Sequence, residues 1–182
     1  ESTLDNLQNK VALEGFGARL LSCQSAGGHW GIYYYQPKWT CTHYTLLDLK
    51  NLCVPAAHPA CKDMVTRMFQ DCATASGGLN LSKYEHPSDV CVDGMILNYA
   101  SYFCKGEPRL ANLVDHLLSV QKPDGGFTWN AASEQGGPHT TICVLEGFGQ
   151  YRASGLRHRA RDIAAAQAKA LEFLLSHRLF MD

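Results

Sequence analysis

An internal repeat is the feature that most limits what this chain can become. Double glycines fall at Gly27-Gly28, Gly77-Gly78 and Gly125-Gly126, and each is followed, after a polar or aromatic loop, by an apolar segment. Three of these segments align without gaps at a period of 48: Cys41-Thr-His-Tyr-Thr-Leu-Leu-Asp-Leu, Asp89-Val-Cys-Val-Asp-Gly-Met-Ile-Leu and Gly137-Pro-His-Thr-Thr-Ile-Cys-Val-Leu, with Leu49, Leu97 and Leu145 coinciding. Ahead of each double glycine, apolar residues at three and four spacing mark a further helix, over Leu7 to Cys23, Cys61 to Ala73 and Leu110 to Val120. A last helix, from about Arg159 to His177, opens a fourth unit that the sequence leaves half made. Only Ile32-Tyr-Tyr-Tyr is β-prone, and it lies in a loop between glycine and proline. The expected fold is all-α: about three and a half helical hairpins in one domain over residues 1–182. The segments beginning near 42, 90 and 138 carry less charge and should form an inner layer, with the more charged helices outside.

Composition removes several classes of function. At 182 residues the chain has the size of one ordinary domain, and 46% apolar against 18% charged residues is too much hydrophobic matter for disorder. A net charge of -1 leaves no electrostatic footprint for nucleic acid or an anionic membrane. No apolar run is long enough to span a bilayer, and the N-terminus lacks the basic start and apolar centre of a signal peptide, so a cytoplasmic location is expected. Eight cysteines without a CxxC pair, most of them in apolar helical stretches, read as free thiols in a reducing compartment.

Gln121-Lys-Pro-Asp-Gly-Gly-Phe-Thr-Trp129 resembles the glutamine-tryptophan motif of the terpenoid cyclases and protein prenyltransferases, and Gln24-Ser-Ala-Gly-Gly-His-Trp30 looks like a shortened copy. The resemblance implies an α/α toroid, in which the glutamine bonds neighbouring backbone and the tryptophan packs over it, stapling adjacent repeats. Closed rings of that superfamily use five or six hairpins. A partial ring implies either further repeats beyond this sequence, which the missing initiating methionine favours, or a second copy that covers the open end.

The same resemblance suggests chemistry. Asp89-Val-Cys91 and His139-Thr are similar to the Asp-x-Cys and His-Thr elements that hold zinc in the β subunit of protein prenyltransferases. Cys91 and His139 occupy one repeat position on neighbouring inner helices, and oxygen, sulfur and nitrogen donors with a fourth position open suit a catalytic zinc that holds a thiol substrate as thiolate. The plain alternative makes Asp89 an N-cap, Cys91 a small hydrophobe and His139 a loop-bonding side chain. Lys83 and His86 precede Asp89 where basic residues precede the aspartate in the family, and they are expected at a diphosphate beside the helix N-termini. His43, Trp30, Tyr34 and Trp129 are expected to line a pocket for an isoprenoid or other apolar small molecule, whose allylic cation aromatic faces stabilise; a plain packed histidine is the alternative for His43, and plugging the rim is the other use of the aromatic residues. The resemblance thus implies prenyl transfer from an isoprenoid diphosphate to a nucleophile with zinc assistance. Two alternatives stand beside it: a cyclase-like enzyme using Asp93 as general acid, although the Asp-x-Asp-Asp motif is absent, and a non-catalytic helical scaffold.

Overall fold

A computed structural model describes residues 2–179, and among these it contains eight α-helices and no strand. They are α1 (Thr3–Leu13), α2 (Gly15–Ser22), α3 (Thr42–Asn51), α4 (Pro59–Cys72), α5 (Val90–Phe103), α6 (Leu110–Ser119), α7 (Pro138–Ala153) and α8 (Ala160–Ser176). A single isolated antiparallel bridge pairs Ala73 with Leu79. No helix among the described residues is long and apolar enough to cross a membrane. The N-cap residues of α3, α5 and α7 are Cys41, Asp89 and Gly137, the first residues of the three aligned segments.

Helix α5 is the centre of the molecule. It packs on α3, α4, α6 and α7, while α8 packs on α6 and α7 and α2 on α3. Burial follows: α5 hides residues on every side, including Asp93, Asn98, Tyr99 and Ser101, whereas α1 hides none. Glycine brings α5 and α7 together. A Cβ on Gly94 would stand 2.7 Å from the Cys143 carbonyl carbon and the Val144 nitrogen, and one on Gly147 would stand 3.2 Å from the Leu97 Cβ. Because Gly94 meets residues 143 and 144 while Leu97 meets 147, the two helices run parallel at closer range than side chains between them would allow.

The three glycine loops share one turn. Gly28, Gly77 and Gly125 all take positive φ, at 85°, 94° and 89°, and their N–H groups donate to Ser25, Thr74 and Lys122 carbonyls. The working glycine is therefore the second of its pair in the first loop and the first of its pair in the other two. Two residues on, each chain donates a backbone N–H to a side chain in the first turns of the following helix: Trp30 to Thr42 Oγ1, Leu79 to Asp93 Oδ1 and Phe127 to Thr141 Oγ1. The Gln121 amide donates to the Gly125 carbonyl and also to the Ala166 carbonyl of α8, at 2.8 and 2.9 Å. Gln24 makes the matching bond to Gly28 at 2.8 Å.

One helix differs from its sequence expectation. The pattern from Leu7 to Cys23 reads as continuous, but the structure breaks it into α1 and α2 at Glu14, whose extended backbone is followed by Gly15 at φ 64°. The chain folds back so tightly that a Cβ on Gly17 would strike the Val11 carbonyl. Spacing of apolar residues reports which face is buried, and it is blind to a break that keeps the face in phase.

Candidate functional site

Asp89 is where the candidate residues begin to assemble. As N-cap of α5 it accepts the Cys91 N–H at 3.2 Å, and the same Oδ1 accepts the Cys91 thiol at 3.1 Å. Burial first, and then the Asp89 carboxylate, push the Cys91 thiol well above its ordinary range, so it is protonated at neutral pH. Cys143, on the adjoining face of α7, is pushed up to about 11 by burial and by the Glu146 and Asp89 charges. On the α3 side stand aromatic rings from the first loop. Tyr35 and Tyr44 share a hydrogen bond between hydroxyls at 3.0 Å, and the Trp39 ring lies 4.9 Å from that of Tyr44. Burial raises the Tyr35 phenol, helped by the Tyr44 hydroxyl and by the nearby Asp89 charge.

The other flank of Asp89 opens into a cavity of about 650 Å³. Its apolar wall is Pro87, Val90, Val120, Trp129 and Ala131, and its polar side includes Ser88, Asp89, His116 and Lys122. Three of the residues singled out in the sequence, His86, Asp89 and Trp129, line this one space. Trp129 is exposed there, as an apolar wall open to a ligand must be.

The remaining candidates are placed elsewhere. Trp30 is buried, with its indole N–H donating to the Leu20 carbonyl at 2.7 Å, and Tyr34 is buried with its hydroxyl donating to Asp71 at 2.7 Å. These two rings plug the first hairpin rather than line an opening. His43 is also in the core, and the Tyr99 hydroxyl 3.1 Å from its Nδ1 donates onward to the Met68 sulfur. A thioether has no proton to give, so the single Tyr99 proton goes either to the Met68 sulfur, with His43 Nδ1–H donating to the hydroxyl, or to His43 Nδ1 itself. Burial depresses its pKa to about 3, and the ring is neutral. Lys83 sets its ammonium 5.0 Å from the Tyr33 ring centroid, as a cation over an aromatic face.

Asp93 is wholly buried, one oxygen held by the Leu79 N–H and the other 3.3 Å from His116 Nε2. It ties the second glycine loop to α5, as Thr141 ties the third to α7. His116 was not legible in the sequence, since it falls at an ordinary position on an outer helix, with no motif around it.

For zinc, the chain brings two of the three donors together at Asp89 and Cys91. His139 is exposed on the first turn of α7, and among the described residues no three His, Cys, Asp or Glu side chains are placed to hold a metal ion. The donor chemistry suits zinc, with a protonated thiol whose proton a metal would replace. No protein-family model, curated protein or solved structure matches this chain.

Proposed function

We propose that this chain is part of an α/α-toroid enzyme that binds an isoprenoid diphosphate and transfers its prenyl group to a nucleophile. The observation that carries this reading is the cavity at the start of α5, where an apolar wall of Val90, Val120 and Trp129 adjoins a polar side with Lys122, Ser88 and His116. Such a division suits a ligand with a greasy tail and an anionic head. In the transfer, the C1–O bond of the prenyl diphosphate breaks with its electron pair leaving on diphosphate, the nucleophile bonds to C1, and the nucleophile's proton passes to the released diphosphate. Trp129, exposed in the cavity wall, offers its ring face to the allylic cation that develops. Asp89, Cys91 and His139 would hold zinc, which when bound supplies a Lewis acid able to keep a thiol nucleophile ionised. The alternating packing of α3, α5 and α7 against α4, α6 and α8, and the shared turn of the glycine loops, support the toroid and its repeat.

The acid-catalysed cyclase reading draws less support. Asp93 spends one oxygen on a backbone N–H and is fully enclosed, which suits a structural tie.

Two measurements test the proposal. Farnesyl diphosphate should bind the purified chain more tightly than farnesol, by calorimetry. Elemental analysis after dialysis against zinc should give one zinc per chain, and none for Cys91→Ala at unchanged helical content. Equal zinc in parent and variant removes the metal, and no binding of either isoprenoid removes the function.

A further inference from the structure

Lys50, Asn98 and Glu146 occupy one repeat position, each the residue after the coinciding Leu49, Leu97 and Leu145. All three border a second cavity, of about 270 Å³, toward the C-terminal ends of α3, α5 and α7. Asn98 is eight residues beyond Val90, which sets it about 12 Å along α5 from the cavity at the helix start. Its place is unusual for an amide. Asn98 is 3% exposed, and its Oδ1 is enclosed without a hydrogen-bond partner. A polar group turned inward on a central helix costs its hydration in full unless something bonds it. Rotation about χ2 exchanges the amide oxygen and nitrogen, so Asn98 can offer the cavity either an acceptor or a donor.

The charges beside it are unanswered as well. Neither Lys50 nor Glu146 takes part in an ion pair among the described residues, although both border the same space. They stand on α3 and α7, and α5 packs on both of those helices, so the row reads cation, amide, anion. A lone anion in the cavity would leave Glu146 without a partner, and a lone cation would leave Lys50 without one. The last turn of α7 shares the wall, and the negative end of its dipole adds to the hold of Glu146 on a cation.

We propose that this cavity binds a small zwitterion, a free α-amino acid with a polar side chain. Its carboxylate meets the Lys50 ammonium, its ammonium meets the Glu146 carboxylate, and the Asn98 amide bonds between them. The volume is below the roughly 300–1,000 Å³ of sites for drug-sized ligands, which restricts the occupant to a small molecule. Two further amides, Asn51 and Gln150, complete the polar wall, and Gln150 gives its Nε2–H to Ser154 Oγ while its oxygen stays available. Such a wall suits a side chain that both donates and accepts. Gly149 keeps the space clear, since a Cβ there would meet nothing within 4 Å. The site is separate from the prenyl-transfer reading and does not rest on it.

NMR titration of the nitrogen-15-labelled chain with L-glutamine tests the site, with butyrate and butylamine as compounds that carry one charge each. L-Glutamine should move the Asn98 side-chain amide signals along a saturable curve. Lys50→Met and Glu146→Gln should each weaken that binding about tenfold, the worth of one hydrogen bond to a charged group. Butyrate and butylamine should each bind about tenfold more weakly than L-glutamine, for the same reason. Gly149→Leu, at an exposed helical position, should abolish binding by filling the space while it keeps the helix. The absence of a saturable Asn98 shift with L-glutamine overturns the site, as does equal affinity in the parent and both charge variants. Butyrate or butylamine binding as tightly as L-glutamine overturns the zwitterion. None of these compounds is an isoprenoid, so failure here leaves prenyl transfer standing, and failure of prenyl transfer leaves this site standing.

Discussion

Single residues in this chain are governed by what burial does to their polar atoms. His43 is the sharpest case. It is neutral in the folded protein, with a pKa of about 3 against 6.5 when unfolded, so between those values the unfolded chain holds the extra proton and stability falls as pH falls. The loss begins near pH 6.5 and continues toward pH 3, reaching on the order of a few kcal/mol. The rings around His43 belong to Tyr35, Tyr44 and Tyr99. His43→Asn keeps a donor for the Tyr99 hydroxyl and removes the titration. Its melting temperature should therefore be lower than the parent's at pH 7 and should fall less steeply from pH 7 to pH 4; parallel slopes would show that His43 is not the source. The sequence left His43 open between pocket lining and a packed core histidine, because repeat position alone cannot tell the open face of an inner helix from the closed one, and its burial makes it the packed one. Asp89 and Cys91 were legible as a pair because an N-cap and the second helical position beyond it are neighbours by local geometry alone.

At the scale of elements, the packing of α5 on α7 is set by two glycines, and it gives opposite expectations for glycines on one helix. Gly147→Ala places a methyl group against the α5 backbone, which must move, and the expected cost is about 1–3 kcal/mol. Gly149, two residues on, has open space where a Cβ would go, and Gly149→Ala should raise stability by about 1 kcal/mol through helix propensity. Urea denaturation of both variants checks the pair; a similar cost for both would mean that helix contact is not what the glycines serve. Gln121→Ala should cost about 1–2 kcal/mol, because it leaves the Ala166 carbonyl of α8 without its side-chain partner. The helices themselves were readable from spacing, and the starts of α3, α5 and α7 fall where the aligned segments begin. The break between α1 and α2 was not, nor was the one-residue shift of the first glycine turn, since Gly27 and Gly28 are equivalent in sequence and differ only in backbone conformation.

For the molecule as a whole, the helical array leaves apolar surface at both of its extremes. Leu4, Leu7, Leu13 and Phe16 are exposed on α1, at its end and at the start of α2, and Leu171 and Leu175, four apart and so on one stripe, are exposed on α8. Helix α8 packs chiefly on α6 and α7, whereas α5, in the middle, packs on α3, α4, α6 and α7. Two different apolar faces at opposite ends of a series of helices favour association of the end of one chain with the start of another, a head-to-tail contact that does not close on itself unless the rotation permits it. The chain should accordingly show a mass by light scattering that rises steadily with concentration, without the plateau of a closed dimer. Replacing Leu171 and Leu175 together by Glu and Lys should reduce that rise without lowering the helical content, because neither side chain is part of the core. A parent chain whose mass stays that of one molecule at every concentration would show that single exposed leucines, each surrounded by polar neighbours, do not add up to a sticky face on this surface.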